Sequence, residues 1–260
     1  MRSNRSTYEA SGVVRQYARH RLLQPPERAI RDALGPDLAR MRMLDIGVGA
    51  GRTTLHFAPA VREYTGVDYA ANMIRACHRR FPDAPPTVSF ITCDARHMDR
   101  FDDASFDFVL FSFNGLDHID HDGRIQALRE IHRVSKPGGF FAFSAHNANS
   151  LGRLFSFRWA GLAKRPWLFP ARLVKWLLLR LLNKAPRQLA GYPCVAINDG
   201  AHGFRLKTHY IHPDEQIKQL TGTGFTGIRI FTLDGSEVEP QTGTGNLQDF
   251  WLYYLCRKAG

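Results

Sequence analysis

Leu44-Asp45-Ile46-Gly47-Val48-Gly49-Ala50-Gly51-Arg52 runs a short apolar strand into three glycines at alternate positions. Glycines so spaced let a backbone turn sharply and approach a ligand where a Cβ would collide, and they expose amide N–H groups at the start of the next helix. The stretch predicts a nucleotide-type cofactor site. A dinucleotide fingerprint, G-x-G-x-x-G, needs its third glycine at position 52, where Arg52 stands. Dinucleotide binding is disfavoured accordingly.

Two further acids extend the pattern. Asp68 closes the next apolar run, where a carboxylate is placed to accept both hydroxyls of a ribose. Asp94, in Ile91-Thr92-Cys93-Asp94-Ala95, closes the third. Ligands in open α/β sheets bind beyond the carboxyl ends of the strands, so Asp45, Asp68 and Asp94 are expected to converge on one crevice. Three buried carboxylates need donors, and a ligand carrying an amine, a ribose and an adenine amino group supplies them.

Outward from this stretch, short apolar runs alternate with helix-length segments, the pattern of βαβ units around a parallel sheet. Seven strands are expected, near 43–47, 64–68, 88–94, 106–112, 139–145, 225–231 and 250–256. Phe106-Asp107-Phe108-Val109-Leu110-Phe111 is almost continuously apolar, as expected of a strand covered on both faces. Helical spacing marks 53–61, 71–81, 124–134 and 213–220, and also the segment before residue 40. About eighty residues separate the fifth and sixth strands, far more than an ordinary connection, which predicts a functional insertion over 148–204. The expected organisation is an N-terminal helical cap over 1–40, a core over 41–147 and 205–260, and that insertion between them.

The 260 residues carry a net charge of +11. The excess is local: no Asp or Glu occurs between Ile131 and Asn198, while eleven Lys and Arg do, so the rest of the chain is balanced. Residues 170–184 read as a helix rich in leucine and broken by Arg172, Lys175 and Arg180. Cys77, Cys93, Cys194 and Cys256 are scattered, with no C-x-x-C pair and no histidine at metal spacing, so they read as reduced packing residues and no metal is expected. Reduced thiols favour a cytoplasmic setting. The polar, Arg-rich Met1–Gln24 stretch is expected to be neither a secretory signal nor a membrane anchor.

Taken together these motifs resemble the class I S-adenosylmethionine-dependent methyltransferases, in their small-molecule branch, over nearly all of the chain from about residue 40. The resemblance implies a Rossmann-like, doubly wound, seven-stranded α/β sheet, mostly parallel with an antiparallel last strand, and a helical lid inserted between strands five and six. It also implies S-adenosyl-L-methionine as cofactor and S-adenosyl-L-homocysteine as product. By that resemblance Asp45, Gly47, Val48, Gly49, Gly51 and Arg52 form the loop around the methionine portion and ribose. Asp68 takes the ribose hydroxyls, Tyr69 and the apolar Met73 lie by the adenine, and Asp94-Ala95 meet its amino group. Phe111 and an N-terminal tyrosine, Tyr17 or Tyr8, complete the expected cofactor contacts.

Methyl transfer from a sulfonium is an in-line displacement by an already activated donor, so positioning supplies most of the acceleration and a general base the remainder. Such a base belongs after the fourth or fifth strand. His146 and His118 are the candidates there, with Asp117 or Asp120 to orient one of them. Asn114, His118, Asn147 and Trp159 are the candidate acceptor contacts. Asn114-Gly115-Leu116 replaces the Asn/Asp-Pro-Pro-aromatic signature of nucleic-acid amino methyltransferases, so nucleic acid is not an expected partner. The basic insertion predicts a substrate lid that favours an anionic acceptor, or an interfacial helix that docks on a membrane and serves a lipid-linked one. An RNA methyltransferase and a catalytically silent cofactor-binding protein are the competing functions. Oligomeric state is not read from the sequence.

Overall fold

A computed structural model of the chain describes residues 4–157, 159–160, 164–201, 203–238 and 243–260. Its centre is one twisted sheet. Five strands, β1 (Arg42–Ile46), β2 (Glu63–Asp68), β3 (Val88–Thr92), β4 (Phe106–Phe111) and β5 (Ser135–Asn147), run parallel in the order β3-β2-β1-β4-β5. Three short or hairpin strands in the C-terminal half then follow the numbering: β6 (Cys194–Ile197), β7 (Thr208–Ile211) and β8 (Phe225–Phe231). β9 (Glu237–Val238) and β10 (Trp251–Lys258) complete the set. β10 lies antiparallel between β5 and β8, and β9 extends the edge beyond β8.

All seven expected strands are therefore present, and three more join them. β6, β7 and β9 escaped the sequence pattern because each is only two to four residues long, below the length at which periodicity is readable. β7 pairs in parallel with the far end of β5, aligning His146 with Tyr210 and Asn147 with Ile211, and β6 folds back antiparallel onto β7. The insertion is thus partly β-structure stitched onto the main sheet, where only helix was expected. Lys136-Pro137-Gly138-Gly139 forms an irregularity inside the long β5, where Gly138 takes φ +73° and the register against β4 shifts.

Helices cover both faces, as alternation along the strands requires. Phe108 and Leu110 of β4 face α3 (Pro25–Leu34), α4 (Thr54–Phe57) and α5 (Ala71–Arg80), through Ile30, Phe57 and Ile74. Val109 and Phe111 face the opposite cluster, with Leu128 and Ile131 of α6 (His121–Val134) and Leu220 of α10 (Pro213–Gly222). Before the sheet, α1 (Asn4–Tyr8) and α2 (Ser11–Arg19) pack over the start of α5, where Val14, Ala50, Ala70 and Met73 form a small separate cluster. The insertion has its own cluster, Leu151, Phe155, Leu179, Leu189, Ile197 and Tyr210. Leu151 belongs to α7 (Leu151–Leu154), Leu179 to α8 (Phe169–Leu182) and Leu189 to α9 (Pro186–Leu189).

Candidate active site

The glycine loop leaves β1 and turns over the carboxyl end of the sheet. Gly47, Gly49 and Gly51 all take positive φ, and a Cβ at Gly51 would stand 2.5 Å from the Phe81 ring. A side chain at any of the three is strained in conformation as well as in space. The ring of Phe111, at the end of β4, lies 2.9 Å from the Cβ position of Gly47 and closer still to that of Gly115. The loop is clamped from behind as well: the Cys77 thiol donates to the Gly49 carbonyl at 3.1 Å, and Arg80 Nη1 donates to the Ala50 carbonyl at 2.8 Å.

The three expected acids turn out to have different tasks. Asp68 lies at the very end of β2 and accepts from the Gly49 N–H at 3.0 Å and the Ala70 N–H at 2.8 Å. Burial pushes its carboxyl up to about 6 despite those two donors. Asp45 faces inward instead: it accepts from the hydroxyls of Thr53 and Tyr64, the latter at 2.5 Å, and Tyr64 also meets the Thr54 hydroxyl. It is wholly buried, and burial holds it at about 6 against those bonds. Asp45 therefore braces the loop from below, a correction to its expected contact with cofactor. Asp94 lies two residues past β3, bridged to His97 and gripped by Arg96 through Nε at 3.0 Å and Nη2 at 2.7 Å. Although burial opposes it, that grip holds the Asp94 carboxyl below the usual range.

Arg52 is likewise committed elsewhere. Its guanidinium forks onto the buried Glu27 of α3, at 2.6 and 2.5 Å, donates to the Leu22 carbonyl and stacks on Phe113. Glu27 also accepts from the Ser112 hydroxyl and the Gln24 N–H. Arg52 ties the N-terminal segment to the glycine loop, so the residue that breaks the dinucleotide fingerprint has a structural partner that sequence inspection missed. Glu27→Ala leaves a buried guanidinium unpaired and is expected to destabilise the protein by about 3 kcal/mol, read as a lower denaturation midpoint.

Above the loop lies a ring of aromatic side chains. Tyr17 comes within 3.2 Å of the Cβ position of Gly49, Tyr8 packs edge-on against Tyr17 and Tyr69, and His118 packs against Tyr8 with centroids 5.9 Å apart. Met73 and Ala95 are buried beside this group and in the adjacent core. Val48 is buried with its N–H on the Val67 carbonyl. The N-terminal cap thus reaches the loop through Tyr8 and Tyr17 together.

After β4 the chain enters a tight turn through Phe113 and Asn114, both at positive φ. Asn114 gives its N–H to the Ser144 hydroxyl at 2.7 Å, while its buried Oδ1 has no partner among the described residues. Next comes Asp117, fully buried. One carboxylate oxygen accepts from Arg124 Nη1 at 2.7 Å; the other meets His146 Nδ1 at 2.8 Å and the His146 N–H at 2.6 Å. Arg124 is itself buried and held by Gln216. Burial pushes the Asp117 carboxyl up, but the His146 bond and the Arg124 charge outweigh it, and the group stays below the usual range. An ionised Asp117 fixes the orientation of the His146 ring and leaves Nε2 as its proton-accepting nitrogen.

Of the two candidate orienting acids, Asp117 holds His146 and Asp120 caps α6 through the Gly123 N–H at 2.9 Å. His118 belongs to the aromatic group over the loop, through Tyr8. Asn147 and Trp159 depart from their expected acceptor roles. Asn147 is buried and gives its amide to the carbonyls of Leu247 and Asp249. Trp159 lies on the outer surface of the insertion, 70% exposed, against Phe157 and Phe169. Arg158 of the basic series lies outside the described residues.

With this arrangement in place, residues 43–139 match the family model described as a methyltransferase domain. Over that stretch the chain is similar to methyltransferase domains, and its fold is that of solved S-adenosylmethionine-dependent methyltransferases. It is 36% identical over 112 residues to the demethylmenaquinone methyltransferase of Renibacterium salmoninarum, covering 43% of this chain and 44% of that protein. It is 26% identical over 208 residues to the ubiquinone/menaquinone biosynthesis C-methyltransferase of Burkholderia mallei, covering 78% and 74%. It shares its fold with the 1,6-didemethyltoxoflavin-N1-methyltransferase of Burkholderia thailandensis, solved with bound 1,6-didemethyltoxoflavin and S-adenosylhomocysteine. That structure aligns with a TM-score of 0.56 at 19% identity, over 98% of this chain and 85% of that one. The aligned stretch spans under half the length of the first of these relatives.

The toxoflavin methyltransferase of this fold holds S-adenosylhomocysteine, and S-adenosylmethionine is the cofactor expected from the glycine loop of this chain. The residues present fit it. A glycine loop at positive φ, an acid at the end of β2 with lone pairs left after two backbone donors, and the unpartnered Asn114 Oδ1 match an adenosyl group bearing a ribose and an amine.

Proposed function

We propose that the protein methylates an oxygen or nitrogen of a lipid-linked small molecule, with His146 as general base. The observation that carries this proposal is the buried chain Arg124–Asp117–His146 beside the turn that follows β4, at the carboxyl edge of the sheet. When bound, the cofactor supplies an electrophilic methyl group on a sulfonium. Asp68 holds the ribose, Tyr69 and Met73 flank the adenine, and Gly47, Gly49 and Asn114 surround the amino-acid end. His146 removes the proton from the acceptor hydroxyl or amine and passes it to solvent. The same base acting on a ring hydroxyl would arm an adjacent carbon, the Burkholderia mallei relative being named a C-methyltransferase, and NMR of the methylated product separates the two outcomes.

Support for a lipid-linked acceptor comes from α8. Val174, Leu177 and Leu181 follow one another at helical spacing on its exposed side, Leu181 at 78% exposure, with Trp167 and Trp159 near its start. Lys175, Arg180 and Lys184 accompany this stripe. Exposed apolar residues with a basic surround suit the headgroup boundary of an anionic bilayer, where each Lys or Arg contributes about 1 kcal/mol. Among the described residues no helix is long and apolar enough to cross a membrane. Flotation with anionic vesicles is expected for the wild type and is expected to be lost in Leu177→Glu/Leu181→Glu. A wild type that stays at the bottom of the gradient would remove the membrane-surface acceptor while leaving the methyl-transfer assignment intact. Salt-sensitive RNA binding in a gel shift would favour the RNA alternative.

A further inference from the structure

His121, Cys194 and His209, far apart in the sequence, meet beside the Asp117–Arg124 pair. His121 is the first residue of α6, Cys194 opens β6 and His209 lies in β7. The antiparallel register pairs Cys194 with Ile211 and Ala196 with His209, which puts Cys194 and His209 on one face of the hairpin, one diagonal step apart. One ligand-type atom from each of the three residues falls within 4.8 Å of the others. Cys194 Sγ is 4.0 Å from His121 Nδ1, and the two imidazole rings lie 26° from parallel with centroids 6.2 Å apart.

His209 supplies the second, independent observation. It is only 4% exposed, yet neither of its ring nitrogens has a hydrogen-bond partner among the described residues. Leaving a buried polar group unsatisfied is destabilising, and nothing in the methyl-transfer chemistry uses this one. A cation bound at the ring would satisfy its lone-pair nitrogen.

We propose that His121, Cys194 and His209 form a zinc site with solvent as the fourth ligand. Two imidazoles and one thiolate suit a borderline-soft divalent cation better than calcium or magnesium, which take oxygen ligands. Zinc bonds of ~2.0–2.3 Å place tetrahedral ligand atoms roughly 3.5 Å apart. His121 is exposed and Cys194 half-buried, so their side chains can close the remaining gap by rotation about the buried His209. Binding converts the Cys194 thiol to thiolate and releases its proton to solvent. The metal would fasten the β6–β7 hairpin, and the insertion that it ends, to the first turn of α6, at His121, four residues along from the acid that orients His146.

The test uses the full-length protein stripped with a chelator and titrated with zinc and with cobalt(II). One equivalent of metal is expected, with a thiolate-to-cobalt charge-transfer band in the near ultraviolet and visible bands of tetrahedral intensity. Cys194→Ser is expected to abolish the charge-transfer band. His121→Gln, at an exposed position that leaves the core untouched, is expected to weaken zinc at least ~10-fold. S-adenosylhomocysteine binding, retained in both variants, shows that they are folded and separates this proposal from the one above. No metal bound by the wild type, a cobalt complex without the thiolate band, or zinc affinity unchanged in both variants overturns it.

Discussion

Asp68→Ala is expected to weaken S-adenosylhomocysteine binding by ~10²–10⁴-fold, measured by calorimetry on the folded variant. Two ribose hydroxyls donating to an ionised carboxylate are worth ~1.5–3 kcal/mol each, and every 1.4 kcal/mol is about tenfold in affinity. The same carboxylate accepts the Gly49 N–H, so its removal also loosens the glycine loop in the middle. A pH dependence follows from its burial. The free carboxyl titrates at about 6, and hydroxyl donors favour the ionised form, so binding releases a proton at acid pH. Affinity is expected to be full above about pH 6 and to fall towards tenfold per unit below it, a slope that Asp68→Asn flattens. Binding undiminished in Asp68→Ala would refute the placement of the ribose.

His146→Gln is expected to lower kcat by ~10²–10⁴-fold, the usual range for a lost general base, while S-adenosylhomocysteine affinity stays within about twofold. Substitution at His146, unlike Asp117, spares the Arg124–Asp117 pair. Removing Asp117 would strand a fully buried guanidinium and confound catalysis with unfolding, because breaking such a pair costs ~3–5 kcal/mol. The readout is methyl transfer from labelled cofactor to the acceptor found in a screen. A kcat within threefold of wild type would leave positioning alone to carry the reaction and would take His146 out of the chemistry.

The glycine loop and Asp68 were legible because they are local: a strand, a turn and a strand end, each written in consecutive residues. Asp45 and Arg52 were legible as unusual residues but not in their roles. What they do depends on Tyr64 and Glu27, 19 residues after one and 25 before the other, and a side chain's partner across a sheet leaves no periodic trace. The Asp117–His146 pair lay between these cases. Both residues stood in the right two turns, and the structure chose Asp117 over Asp120 because the second is needed to cap α6.

By itself the sequence determined the seven main strands, the doubly wound class and the glycine loop, since apolar alternation and glycine spacing act over a few residues at a time. Tertiary structure alone decided which protein groups each of the three acids meets, that Arg52 serves the N-terminal cap, and that β7 joins the end of β5 beside His146. It also gathered His121, Cys194 and His209 into one cluster. Those outcomes depend on register between strands distant in the chain, where a shift of one residue turns every side chain to the opposite face.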